Sequence, residues 1–84
     1  MDINIPRIQE VQIFDAYTLI IKFTNDKRKS YDVTPLLNRE MFAPLKSFAY
    51  FKNVHVEPGG YAIAWDANID ISEYELWKNG KEMP

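Results

Sequence analysis

Apolar and polar residues alternate with a period of two across the first third of the chain. Over 17–24 (YTLIIKFT), Tyr17, Leu19, Ile21 and Phe23 fall on one face and Thr18, Ile20, Lys22 and Thr24 on the other. Such alternation marks a half-buried strand. The segment 8–14 (IQEVQIF) repeats it, placing Val11 and Ile13 inward and Glu10 and Gln12 toward solvent. Asp15-Ala16 leaves just enough chain for a tight hairpin turn. Asn25-Asp26 tolerate the left-handed backbone of the next turn. A third strand is expected over 28–33 (RKSYDV), and three strands on short turns make an antiparallel meander.

Beyond residue 33 the period changes. Asp32 or Thr34 offers a helix cap, with Pro35 at the first helical position, where its missing N–H is harmless. Leu36, Leu37 and Met41 are the apolar members of that short segment. A second helix is expected over 43–51, with Leu45, Phe48 and Ala49 at i, i+3 and i+4 on its buried face. Val54 and Val56 flank His55 in a fourth strand, and Pro58-Gly59-Gly60 forces a turn. A fifth strand covers 61–66, with Tyr61, Ile63 and Trp65 on one side and the small Ala62 and Ala64 on the other. Ile69 and Ile71 continue the alternation into a short extended piece. Ser72 and Glu75 have capping-box spacing ahead of a last helical turn, docked through Tyr74, Leu76 and Trp77. The end, 78–84, reads as a frayed tail. The pattern as a whole is α+β: a mostly antiparallel sheet, a meander and then a second strand pair, with short helices on one face.

Eighty-four residues, 46% of them hydrophobic and 14% aromatic, leave room for one domain with an aromatic-rich core. The chain has no cysteine, which excludes disulfides, iron–sulfur centres and cysteine zinc sites. That absence, together with a start (MDINIP) unlike a signal peptide, points to the cytoplasm. The formal net charge of −2 lacks the basic excess usual in nucleic-acid binders.

Few residues invite chemistry. His55 is the single histidine, and no local motif supplies the nucleophile or carboxylate that catalysis would need. Asp66, Asp70, Glu73 and Glu75 crowd the last quarter without calcium-loop spacing, and fit turns and a helix start better. Lys27-Arg28-Lys29 is the only basic run. Strand alternation splits it, and Lys22 across the hairpin would extend it. It suits either phosphates or an acidic partner, or simply a charged strand edge that discourages aggregation. Trp77, beside the polar tail, is the aromatic best placed for a partner contact. No Walker loop, GxGxxG or GxSxG occurs, so no cofactor, metal site or catalytic residue is expected.

Taken in order, these features resemble an uncharacterised bacterial family, domain of unknown function 2442. Three segments carry the resemblance. They are a strand pair and short basic strand ending in YDVTPLL (31–37), then MFAPLKSFAYFKNVHVE (41–57), then YAIAWDANIDIS with Tyr74 to Trp77. Asp66 stands where a proline is common in the family, and Trp77 where a tyrosine is common. The resemblance implies a compact α+β fold in a cytoplasmic bacterial, plasmid or phage setting, and relatives are thought to partner small toxin-like proteins. It supplies no catalytic residues. The leading expectation is a non-enzymatic interaction module, with the antitoxin-like half of a pair as the role the resemblance implies. The alternatives are a nucleic-acid-binding accessory using Lys22, Lys27, Arg28 and Lys29, and a small enzyme around Asp66 and Asp70.

Overall fold

The computed structural model describes residues 5–83; Met1–Asn4, most of the MDINIP start, and Pro84 lie outside the described residues. The meander forms as the alternation requires. Strands β1 (Ile8–Asp15), β2 (Thr18–Phe23) and β3 (Arg28–Asp32) pair antiparallel in sequence order. Leu19, Ile21 and Phe23 are fully buried on its inner face. Val11 lies opposite Ile21 and Ile13 opposite Leu19, so β1 delivers its apolar face to the same side. Tyr17 departs from the expected face and is 44% exposed. It sits in the turn before β2 begins, where its amide donates to the Asp15 carboxylate at 2.9 Å and strand alternation does not yet hold.

Residues 34–52 depart more. The chain forms two short 3-10 segments, Thr34–Asn38 and Glu40–Lys46, followed by the one-turn helix α1 (Phe48–Phe51). Ser47 is extended (φ −87°, ψ 119°) and breaks the expected helix over 43–51, resetting its rotational phase. Leu45 is buried as expected, but Phe48 is 49% exposed, and Phe42 and Phe51 fill the core instead. The first 3-10 segment has no side-chain bond from its cap residue, Val33; the Asp32 carboxylate, one residue before that cap, accepts from the Thr34 amide at 2.8 Å.

The second strand pair is a three-stranded sheet of β4 (His55–Val56), β5 (Ala62–Asp66) and β6 (Ile69–Ser72), with β5 central. Val56, Ile63 and Ile71 stand side by side across it. Trp65 stacks on Phe51 with ring centroids 6.1 Å apart, and its indole N–H donates to the Phe51 carbonyl at 2.8 Å. A buried indole thus gains both area and a partner for its one donor. Tyr61, expected beside Ile63, is 56% exposed because β5 begins only at Ala62, after the glycine turn.

Helix α2 (Glu73–Asn79) starts as its cap predicts: the Ser72 hydroxyl accepts from the Glu75 amide at 3.1 Å. The frayed tail is corrected. Lys81–Glu82 form a strand, β7, beside Lys29 and Ser30, making the first sheet four-stranded in the order β1-β2-β3-β7. Gly80 permits this sharp return, since a Cβ there would lie 2.4 Å from the Leu76 carbonyl oxygen and 3.0 Å from the Lys29 Cβ. Both sheets and α2 contribute to one continuous buried cluster. Among the described residues no helix is long and apolar enough to cross a membrane.

Gly60 combines a left-handed backbone, φ +74°, with a would-be Cβ 2.5 Å from the Ile8 carbonyl oxygen. Gly60→Ala should lower the unfolding free energy by about 2 kcal/mol or more in urea titrations. A change within about 0.5 kcal/mol would contradict the close approach of β1 to this turn.

Candidate functional site

Helix α2 has two faces. Leu76 is fully buried, whereas Tyr74, Trp77 and Lys78, at i, i+3 and i+4, share an outer side. Tyr74 is 48% exposed, and Trp77 is partly buried against the edge of Phe23, with ring centroids 5.0 Å apart. Tyr61 lies at the start of the helix, where its carbonyl accepts the first amide, from Glu73, at 2.8 Å. Arg7 spans the junction. One guanidinium nitrogen donates to both Glu73 carboxylate oxygens at 2.9 Å, and its carbon lies 4.1 Å above the Tyr61 ring.

Each of the three aromatics therefore carries a cation: Arg7 on Tyr61, Lys78 at 5.4 Å from Tyr74, and Lys29 at 4.1 Å over Trp77. Ile5, Tyr74, Trp77 and Lys78 line an open hollow of about 420 Å³. Aromatic and arginine side chains on a firm backbone are the usual anchors of a protein interface. Tyr74, expected to dock the turn with Leu76 and Trp77, is instead exposed, because it lies two residues from the inward Leu76 on the other side of the helix. The parts of Arg7 and Tyr61 depend on distant chain segments meeting, which no local pattern reveals.

The basic run does not form one patch. Lys27 and Arg28 are exposed, and Lys22 lies directly across from Arg28 on the outer face, with Glu10 on its other side. Lys29, expected on a partner surface, is 8% exposed and points into the fold. Its ammonium donates to the Trp77 carbonyl and covers the Trp77 ring. That carbonyl belongs to the last turn of α2, where backbone acceptors lack intrahelical donors and the helix dipole favours a cation. Alternation splits Lys27 and Lys29 from Arg28, but only the packing of α2 makes Lys29 an interior residue. Of the four residues expected as candidates for a partner contact, Trp77 lies on the α2 face, Lys29 against its ring, and Lys27 and Arg28 elsewhere.

The carboxylates separate in the same way. Asp66 accepts from the Tyr50 hydroxyl and from the backbone amides of Asn68 (2.7 Å) and Ile69 (3.1 Å), which closes the β5–β6 turn. These bonds, Tyr50 first, hold its pKa below the ordinary carboxylate value. Desolvation, and then the bond to Asp66, push the Tyr50 hydroxyl up to about 12. Asp70 is exposed and lies on the far strand, beside Ala64. His55 is exposed and pairs with Glu57 at 2.9 Å. Glu75 does not close the capping box; it accepts from the Tyr31 hydroxyl at 2.8 Å, and burial and that bond raise the Tyr31 pKa. Among the described residues no three His, Asp or Glu side chains converge as metal ligands.

Two outcomes follow from these contacts. Lys29→Met keeps the aliphatic stem and removes the ammonium, so it should cost about 1–2 kcal/mol of stability. Arg28→Ala should stay within about 0.5 kcal/mol, and equal losses in the two would contradict the interior role of Lys29. The Tyr50–Asp66 bond has limits at both ends of the pH scale. A tyrosine with a raised pKa contributes stability fully below its unfolded value of 10.0 and loses it as pH rises toward about 12. A carboxylate with a lowered pKa contributes above 3.8 and loses its contribution as pH falls below that value. The stability difference between the parent and Tyr50→Phe should therefore be flat in between and shrink at both extremes. A difference independent of pH would contradict the bond.

A comparison with protein-family models gives a match over residues 8–82, from the start of β1 to the end of β7. Searches of curated proteins and of solved structures find no match. The matched span includes the meander, both sheets and α2, so the chain belongs to the family described as protein of unknown function, DUF2442.

Proposed function

We propose that this protein is a non-enzymatic protein-interaction module whose docking surface is the α2 face of Tyr61, Arg7, Tyr74, Trp77 and Lys78. The observation that carries the reading is the exposure of Tyr74 (48%) on the helix and of Tyr61 (56%) at its start, each with a cation by its ring. Rigid aromatic side chains lose little conformational freedom on docking and bury much area. The antitoxin-like role, as partner of a small toxin encoded alongside, is supported by the family resemblance.

The polar groups of the other readings are otherwise engaged. The nucleic-acid reading draws on Lys29 together with Lys22, Lys27 and Arg28, whereas the Lys29 ammonium is bonded to the Trp77 carbonyl. The carboxylate-site reading needs Asp66 free, whereas Asp66 closes a turn.

The test is coexpression with the product of the neighbouring gene, followed by size exclusion and calorimetry. The parent should copurify as a complex. Changing Tyr61 and Tyr74 together to alanine should weaken binding by about 2 kcal/mol, roughly thirtyfold. The unfolding free energy of the isolated protein should change by less than about 1 kcal/mol. Absence of a complex would contradict the interaction reading, and a complex indifferent to the double substitution would contradict the docking face.

A further inference from the structure

The second sheet has an open edge. In an antiparallel ladder the backbone groups of successive residues point alternately toward one neighbour and the other. The Glu73 amide reaches across to the Tyr61 carbonyl, and Ile71 stands opposite Ile63. Ile69, Ile71 and Glu73 therefore turn their backbone toward β5, and Asp70 and Ser72 turn theirs away from it. No third strand flanks β6 on that side among the described residues. A cleft of about 230 Å³ lies there, bordered by Asp70, Ile71 and Ser72 on one side and by Leu36, Arg39 and Phe42 on the other. It shares Tyr31, Leu36 and Glu75 with a larger hollow of about 560 Å³ that runs on to Asp32 and Lys81. The two make one groove from the edge of β6 toward β3 and β7.

We propose that this groove binds an extended, basic peptide segment of a partner protein, which adds to β6 as a further strand. Main-chain hydrogen bonds to Asp70 and Ser72 would supply affinity, and alternate side chains would supply selectivity. A partner residue level with Ile71 would point the same way as Ile71, which is buried, and enter the space between Leu36 and Phe42. It is therefore apolar. A residue level with Asp70 would share the solvent side with that carboxylate, which makes no hydrogen bond or ion pair to another described residue. It is therefore lysine or arginine, the favourable cross-strand pairing. A second copy of this chain fits less well, because it would bring another Asp70 to the same short ladder. The inference does not depend on the α2 face and can fail separately from it.

The probe is an acetylated, amidated peptide of sequence Thr-Lys-Val-Lys-Val-Thr, titrated into the full-length ¹⁵N-labelled protein. Saturable shifts should be confined to β6, residues 36–42 and the Tyr31–Glu75 pair. Amide exchange at Asp70 and Ser72 should slow by about fivefold or more as new hydrogen bonds form. Methylation of the backbone nitrogens of both lysines, which stand level with Asp70 and Ser72, or glutamate in place of both lysines, should weaken binding by about tenfold or more. Asp70→Lys should do the same while leaving shifts outside β6 unchanged, which keeps loss of folding distinct from loss of the site. Absence of saturable shifts at millimolar peptide, or equal binding of the N-methylated peptide, would overturn the proposal. So would a peptide-free dimer by sedimentation that Asp70→Lys dissociates, since the edge would then belong to a second copy.

Discussion

The position of α2 on the inner face of the first sheet governs most of the molecule. Two contacts set it: the edge-on packing of Trp77 against Phe23, and the reach of the Lys29 ammonium to the Trp77 carbonyl across the Trp77 ring. The first is apolar and the second is charged, and both end on the same residue. A cation at this end of the helix meets carbonyls that have no donors of their own and gains from the dipole. With the helix held there, Gly80 can turn the chain back beside β3, and Lys81–Glu82 pair as its last strand. At the other end β6 runs straight into the helix through Ser72, so the same placement leaves the β6 edge beside the groove.

This arrangement also accounts for the places of many polar residues. Polar side chains that seemed candidates for a site are largely spent on structure. Asp66 closes a turn, Glu75 satisfies the buried end of Tyr31, Glu73 holds Arg7, and Lys29 finishes a helix. Buried donors and acceptors must be partnered, and a small domain has few side chains with which to do it. The α2 face, aromatic and cationic, and the β6 edge, with its outward backbone and the Asp70 carboxylate, are the two surfaces on which the proposed recognition of another chain rests.

Much of the fold was legible because alternation over 8–33 is nearly unbroken, and because Ser72 and Glu75 announce the last helix. Where reading failed, the cause was local phase. A single extended residue, Ser47, turned one expected helix into two short pieces and exchanged Phe48 for Phe51 in the core. Tyr17 and Tyr61 each precede their strand by one residue and so escape its alternation. The tail looked frayed because Lys78 to Lys81 carry no apolar signal; its strand is stabilised by pairing with β3, a contact about fifty residues distant in sequence. The candidate site was legible only in Trp77 for the same reason. Arg7 and Tyr61 reach it from far along the chain, and Lys29 is drawn under it by a packing contact that composition does not encode.

The most direct test of the account is the environment of the Lys29 side chain in solution, read by carbon- and nitrogen-detected NMR of the lysine side chains. Packing over the Trp77 ring predicts ring-current upfield shifts at the Lys29 ε-methylene protons, a slowly exchanging ammonium, and little change with added salt. Lys27, free at the surface, provides the reference. Lys29 signals indistinguishable from those of Lys27, with equal salt response, would contradict the clamp and with it the placement of α2.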